Sequence, residues 1–219
     1  MYADFPLLYN VDNPNIKGAN ALAKSLADNG VKNIFAISEY STGQYTVGEF
    51  LLRNRIAVAD IDHRVTVCPI VAIETGVSTI PSFCELALNG SRYVCVRPPY
   101  GSFSNETMVE FKNIIQKLKL VPVIFNTERY IAMYDDKDLN RLLTLPLTVY
   151  HFSANSLNNS EHLRIANELT LANKRVIIGR SRAFDEKEKR LSPGKSAKRL
   201  IDYLEVVNVK FYREILGFG

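Results

Sequence analysis

The sequence predicts an α/β protein, most economically a distorted seven-stranded βα barrel, and three observations carry that expectation. Short apolar runs alternate with amphipathic stretches from one end of the chain to the other. Nearly every candidate strand is followed by a candidate helix. No linker, repeat or low-complexity stretch interrupts the alternation. Strands joined through helices run parallel, and the helices then cover the sheet. An open doubly wound sheet is the alternative for the same string of elements. A chain of 219 residues is long enough for one sizeable core, so a single domain over 1–219 is expected.

The elements follow in order. "MYADF" opens the chain as a short strand. "ANALAKSLADNG" (19–30) has helical spacing and stops on Gly30, a good C-cap. "VKNIFAIS" (31–38) reads as a buried strand, "TVGEFLLRNRIAVADI" (46–61) as a helix, and "RVTVCPIVAIE" (64–74) as a strand. "PSFCELAL" (81–88) is a short helix or turn before strand "RYVCVR" (92–97). "NETMVEFKNIIQKLKL" (105–120) is the clearest amphipathic helix, apolar at 108, 111, 114, 115 and 118. Strand 121–126, helix 136–145, strand 147–153, helix 160–173 and strand 175–179 continue the pattern. Two helices, near 195–205 and 207–216, complete it.

Composition excludes several classes. Hydrophobic residues make up 47% and charged ones 23%, as in an ordinary globular protein, and no window holds the roughly 20 apolar residues a membrane span needs. "MYADFPLLYN" lacks a basic n-region and a signal core, which makes a cytoplasmic location the expectation. Cys68, Cys84 and Cys95 are widely spaced, form no C-x-x-C pair, and read as buried reduced thiols. None has an arginine six positions on, so the Cys-x5-Arg phosphate loop is absent. The three histidines are too scattered for a histidine-rich metal cluster. A net charge of +4 is mildly basic, but the mixed-sign run "DEKEKRLSPGKSAKRL" (185–200) reads as a solvated helix start and loop. No aromatic residues interleave it for stacking on RNA.

In an alternating βα chain the chemistry sits where strands end. Those positions are Asp4, Ser38, Glu39, Glu74, Arg97, Asn126, Phe152, Ser153, Arg180 and Arg182. "KRVIIGRSRAF" (174–184) is the odd one: a buried strand that runs into two arginines with no carboxylate or imidazole between them. Elsewhere, Glu74 and Glu128 form a candidate carboxylate pair, although an ion pair with a neighbouring arginine is the blander reading of Glu128. His151 is either a lone general base or a satisfied core histidine, and lacks a triad pattern around it. "PYGSFSN" (99–105) precedes a helix whose N-terminus is a weak anion cradle.

Two stretches are more specific. "LNGSRYVCVRPPYG" (88–101) and "VPVIFNTERY" (121–130) resemble the corresponding segments of the CpsB/CapC family, metal-dependent tyrosine phosphatases of Gram-positive capsule and exopolysaccharide operons. These belong to the polymerase-and-histidinol-phosphatase (PHP) superfamily. The family pattern is L-N-x-S-R-Y-x-L-x-E followed by P-x-I-x-x-H-x-E-R-Y, and the resemblance can be followed from residue 1 to about residue 205. It implies a PHP-type, TIM-like barrel and a cluster of divalent metals, often manganese, at the strand tips. Carried over position by position, the ligand set collapses. The opening D-x-H-x-H becomes "YADFP", with Asp4 and Pro6 where histidines belong, and the following acidic position falls on Asn13. Glu39 replaces a histidine, Glu74 matches a glutamate, Arg97 replaces a glutamate, and Asn126 replaces a histidine. The closing S-D-x-H becomes "GRSR", with Arg180 for the aspartate and Arg182 for the histidine.

A polynuclear site needs several anionic or imidazole ligands converging at about 2.0–2.3 Å. A guanidinium is permanently charged, cannot ligate, and at close range repels a dication by several kcal/mol. A metal-free site without a cofactor is therefore the expectation. Arg97, Arg180 and Arg182 then either form a salt-bridged plug with Asp4, Glu39 and Glu74, or grip a phosphate. By resemblance, Arg129 of "ERY" and Arg190 of "KRLSP" join the anion-binding side. Three functional classes follow. The first is a non-catalytic, regulatory protein that binds a phosphorylated protein or small anion, with homo-oligomerisation open. The second is a remodelled tyrosine phosphatase using Glu39 or Glu74, with manganese if active. The third is an RNA-binding metal-free barrel like the ribonuclease P protein subunit, which the two family segments disfavour.

Overall fold

A computed structural model describes residues 2–8, 16–28, 31–59, 61, 65–179 and 194–216. The strands are β1 (Tyr2–Leu8), β2 (Val31–Tyr40), β3 (Val65–Ala72), β4 (Tyr93–Arg97), β5 (Val121–Ile124), β6 (Val149–Ser153) and β7 (Arg175–Gly179). The helices are α1 (Ile16–Asp28), α2 (Val47–Ala59), α3 (Asn105–Lys112), α4 (Glu128–Met133), α5 (Asp136–Leu143), α6 (Ser160–Leu171) and α7 (Lys195–Leu216). The strands pair in chain order, and every pairing is parallel. A doubly wound sheet reverses its order at a switch point. This one never reverses, so right-handed crossovers put its helices on one face and leave the other face to be buried by curling onto itself.

Period-two alternation sorts the strands into those two faces. Phe35, Ile37, Cys68, Ile70, Tyr93, Cys95, Val123, Phe125, Val149 and Ile177 form the inner core. Their outward neighbours, among them Val71, Val94, Val96, Ile124, Tyr150, Phe152 and Val176, pack with the helices. In β1 the register to β2 slips between Asp4 and Leu7, around Pro6, which has no N–H to give the ladder.

Helix α7 joins both layers. Its first half places Ala197, Leu200 and Leu204 in the outer core. Its end carries Phe211, Tyr212 and Ile215 into the inner core, where Tyr212 stacks near Phe35 at 6.1 Å and Phe211 meets Tyr93 edge-on at 4.9 Å. Between the halves, buried Asn208 accepts from the Ile178 amide at 3.2 Å and donates to the Ile178 carbonyl. A strand residue sends both its N–H and its C=O to the same side. One side-chain amide thus occupies β7 where a further strand would pair.

Three elements and one cysteine differ from expectation. The two expected C-terminal helices are one, because burial on both sides of 206–209 outweighs the β-branched residues there. Helix α4 was not foreseen: six residues hold no helical repeat, and Tyr130 and Ile131 fold them by packing inward. The amphipathic stretch at 105–120 is α3 followed by a π turn over Asn113–Lys117. Cys68 and Cys95 are buried free thiols, but Cys84 is exposed, at a short 3-10 turn.

Candidate functional site

The C-terminal strand ends gather polar side chains that alternation points to the inner face. Arg97 closes β4, and its Nε donates to Glu39 Oε2 at 3.0 Å while Nη2 donates to Oε1. This is a fork-to-fork ion pair across β3, from the end of β2 to the end of β4. Burial opposes the charge on Arg97, but the hydrogen bonds and charge of Glu39 outweigh it and raise the guanidinium above its usual pKa. The Arg97 side chain is 21% exposed and that of Glu39 is 47% exposed, so the pair contributes on the order of 1 kcal/mol. The Tyr100 ring lies 4.8 Å from the Arg97 guanidinium carbon and is itself half exposed, stacking on Tyr130.

A second polar group sits on β5, β6 and β7. Buried His151 stacks on Phe125 at 4.4 Å, and its Nδ1 accepts from the Asn126 amide at 3.3 Å. Burial depresses its pKa to about 3, so the imidazole is neutral. Gly179, at the end of β7, lies against that ring, and a Cβ there would overlap Nε2. Asn126 turns the chain from β5 into α4 with φ 52°, a left-handed conformation that asparagine tolerates better than most residues. Its Oδ1 is buried without a hydrogen bond among the described residues. Glu128, at the first turn of α4, accepts from the Ser153 amide at 3.1 Å, and burial raises its pKa.

Several expectations are corrected here. Glu74 has no ion pair with an arginine among the described residues: Thr42 Oγ1 donates to it, and its charge adds to burial in raising the pKa of Tyr40. The chain has left β3 before residue 74, so strand alternation no longer fixes the direction of that side chain. Glu128 is held by a backbone amide rather than by an ion pair among the described residues, and Glu74 and Glu128 do not meet through any shared partner there. His151 is a core histidine. At the start of α3 the Oγ of Ser104 accepts from the Thr107 amide, so one N–H of the expected anion cradle is already taken. Arg129 is exposed on α4. Of the remaining positions, Asp4 and Pro6 are described only as backbone of β1, and Asn13, Arg180, Arg182 and Arg190 lie outside the described residues. The polar set of Asn126, His151, Ser153 and Gly179 was not expected as one group. Its signal was the shared position of Asn126, Ser153 and Gly179 at neighbouring strand ends.

No family model and no curated protein matches the sequence. Among solved structures, the chain is similar to one described as YwqE from Bacillus subtilis and CpsB from Streptococcus pneumoniae, metal-dependent tyrosine phosphatases. The TM-score is 0.55 and the identity 15%, over 92% of this chain and 93% of that one. The likeness is one of fold. A phospho-2-dehydro-3-deoxyheptonate aldolase from Thermotoga maritima follows, with TM-score 0.45 and 13% identity over 96% of this chain and 69% of that one.

Among the described residues, the donors at these strand ends do not converge on a divalent cluster. Both Glu39 oxygens are engaged by Arg97, and the His151 Nδ1 lone pair is taken by the Asn126 amide. Among the described residues no three His, Cys, Asp or Glu side chains converge. What the arrangement supplies is a held guanidinium with donors to spare, an aromatic wall and a displaceable carboxylate. Chemically that suits binding of an oxyanion. No helix among the described residues is long and apolar enough to cross a membrane.

Proposed function

We propose that this chain is a distorted seven-stranded βα barrel of the PHP type that has lost its metals. In this reading it is a degenerate homologue of the exopolysaccharide-operon tyrosine phosphatases, cytoplasmic and non-hydrolytic, and binds a phosphorylated protein or small anion in a regulatory role. The fold likeness to YwqE and CpsB supports the architecture. The Glu39–Arg97 fork carries the rest: where the resembling family needs ligands, this chain has a guanidinium bound to the carboxylate beside it. Glu39 then keeps the site for the ligand, holding the Arg97 fork in shape and giving way when a phosphate offers the same two acceptors with more charge. Arg129, Arg180, Arg182 and Arg190 complete the grip in this reading, and Tyr100 flanks the bound group.

The test is a titration of phenyl phosphate and a phosphotyrosine peptide into wild type, Glu39→Gln and Arg97→Ala, with metal content and phosphotyrosine turnover measured on the same preparations. Removing the internal competitor should tighten binding roughly fivefold, about 1 kcal/mol, while Arg97→Ala weakens it tenfold or more. Stoichiometric manganese accompanied by turnover would falsify the reading, as would affinities that neither substitution changes.

A further inference from the structure

At the opposite end of the sheet from Arg97, a cavity of about 280 Å³ opens between the last turn of α6, the start of β7 and the middle of α7. Its volume falls just below the usual range for small-ligand pockets, about 300 Å³ and upward, so it suits a small ligand only. Leu204 and Phe211 back it but are almost fully buried, so the apolar surface open to a ligand is that of Tyr203 and Val207. Half-exposed Tyr203 forms a wall, and Lys174, Arg175 and Lys210 supply the charge. None of its lining residues is acidic.

Two of the three cations are fixed before any ligand arrives. The chain leaves α6 through Asn173 at φ 56°, with the Asn173 amide on Thr170 O at 3.1 Å and the Lys174 amide on Leu169 O at 2.9 Å. This is a Schellman ending that sets the direction of Lys174. Lys174 Nζ then donates to Leu145 O at 2.9 Å, which leaves further ammonium donors. Arg175 spends Nη1 on Tyr93 Oη and Glu214 Oε2, and its Nη2 and Nε make no hydrogen bond among the described residues. The Glu214 carboxylate is hydrogen-bonded to Tyr93 and Arg175 and also feels the charge of Lys210. On α7, Tyr203, Val207 and Lys210 recur at helical spacing, so apolar wall and charged rim share one face.

We propose that this cavity is a binding site for a small amphiphilic anion: a molecule with a flat apolar body and a single carboxylate, sulfonate or phosphate. The body lies against Tyr203 and Val207, and the anionic head meets Lys210 with the remaining donors of Lys174 and Arg175. Anchored cations lose little freedom on binding, and contact with Tyr203 and Val207 supplies affinity that a bare inorganic anion cannot use. The site is independent of the strand-end arginine and of the function proposed for it.

The probe is 8-anilinonaphthalene-1-sulfonate, titrated by fluorescence into folded wild type, Lys210→Ala, Tyr203→Ala and Arg97→Ala, each checked by circular dichroism. Both altered residues of the cavity are exposed, so the fold should survive either change. Lys210→Ala should weaken binding about tenfold and Tyr203→Ala severalfold, with Arg97→Ala unchanged. Amide shifts in the NMR spectrum should cluster at 170–176 and 203–211. 2-Naphthoate should displace the probe at concentrations far below those of inorganic phosphate. The proposal is overturned if Lys210→Ala and Tyr203→Ala leave affinity unchanged, if shifts gather at the opposite strand ends, or if phosphate competes as well as naphthoate.

Discussion

Gly179 and His151 define how tightly the middle of the site is built. The ring fills the space where a side chain at 179 would begin, so Gly179→Ala must displace either the imidazole or β7. A loss of about 1–3 kcal/mol in chemical denaturation is expected, as for other overpacked cores. The imidazole also makes stability depend on pH. Folded, it resists protonation down to about pH 3, whereas in the unfolded chain it takes a proton near its ordinary pKa of about 6.5. Between those values the unfolded state binds more protons, so the stability His151 contributes at neutral pH is lost progressively as pH falls through that window. Denaturation midpoints followed from pH 7 to pH 4 should decline, and His151→Phe should flatten that part of the decline. Asn126 shows why residue types alone mislead. Its place before "ERY" marked it as a substituted ligand, but its left-handed backbone and its amide on His151 make it a turn residue, and a backbone conformation is not legible in a one-letter code.

The elements themselves were largely legible, since burial on a strand or helix leaves a period in the sequence that no distant contact erases. What escaped were segments decided from outside. Helix α4 forms because Tyr130, Ile131 and Tyr134 have an outer core to enter. Helix α7 stays continuous through "VVNV" because each flank is clamped by a different layer. Asn208 makes this testable. Asn208→Leu leaves the Ile178 N–H and C=O buried without partners, and a cost of about 2–4 kcal/mol in urea unfolding is expected. Asn208→Asp should be intermediate, keeping the acceptor for the Ile178 amide while facing the carbonyl with a second acceptor. Equal stability of wild type and Asn208→Leu would mean that the edge of β7 is satisfied in some other way.

The curled sheet has two cores, and their boundaries explain which part of the candidate site could be read in advance. Glu39 and Arg97 lie within strands, so alternation alone puts both on the inner face, and their pairing follows from sharing it. Glu74 lies past its strand, and its partner Thr42 belongs to the loop after β2, where no period operates. The inner core depends on α7 as much as on the strands, so Phe211→Ala should cost about 3–5 kcal/mol, comparable with truncating a strand residue of that core. It should also loosen Tyr93 and Tyr212, seen as lost near-ultraviolet dichroism. There is a temporal side to this arrangement. Helix α7 follows every strand in the chain, yet it fastens to residues that precede it by more than a hundred positions, such as Asn89 on the Ile215 carbonyl and Tyr93 on Glu214. During synthesis the strands therefore emerge with their inner face still unsealed, and that hydrophobic surface stays open until α7 has left the ribosome. The nascent chain in that interval is the form most in need of a chaperone.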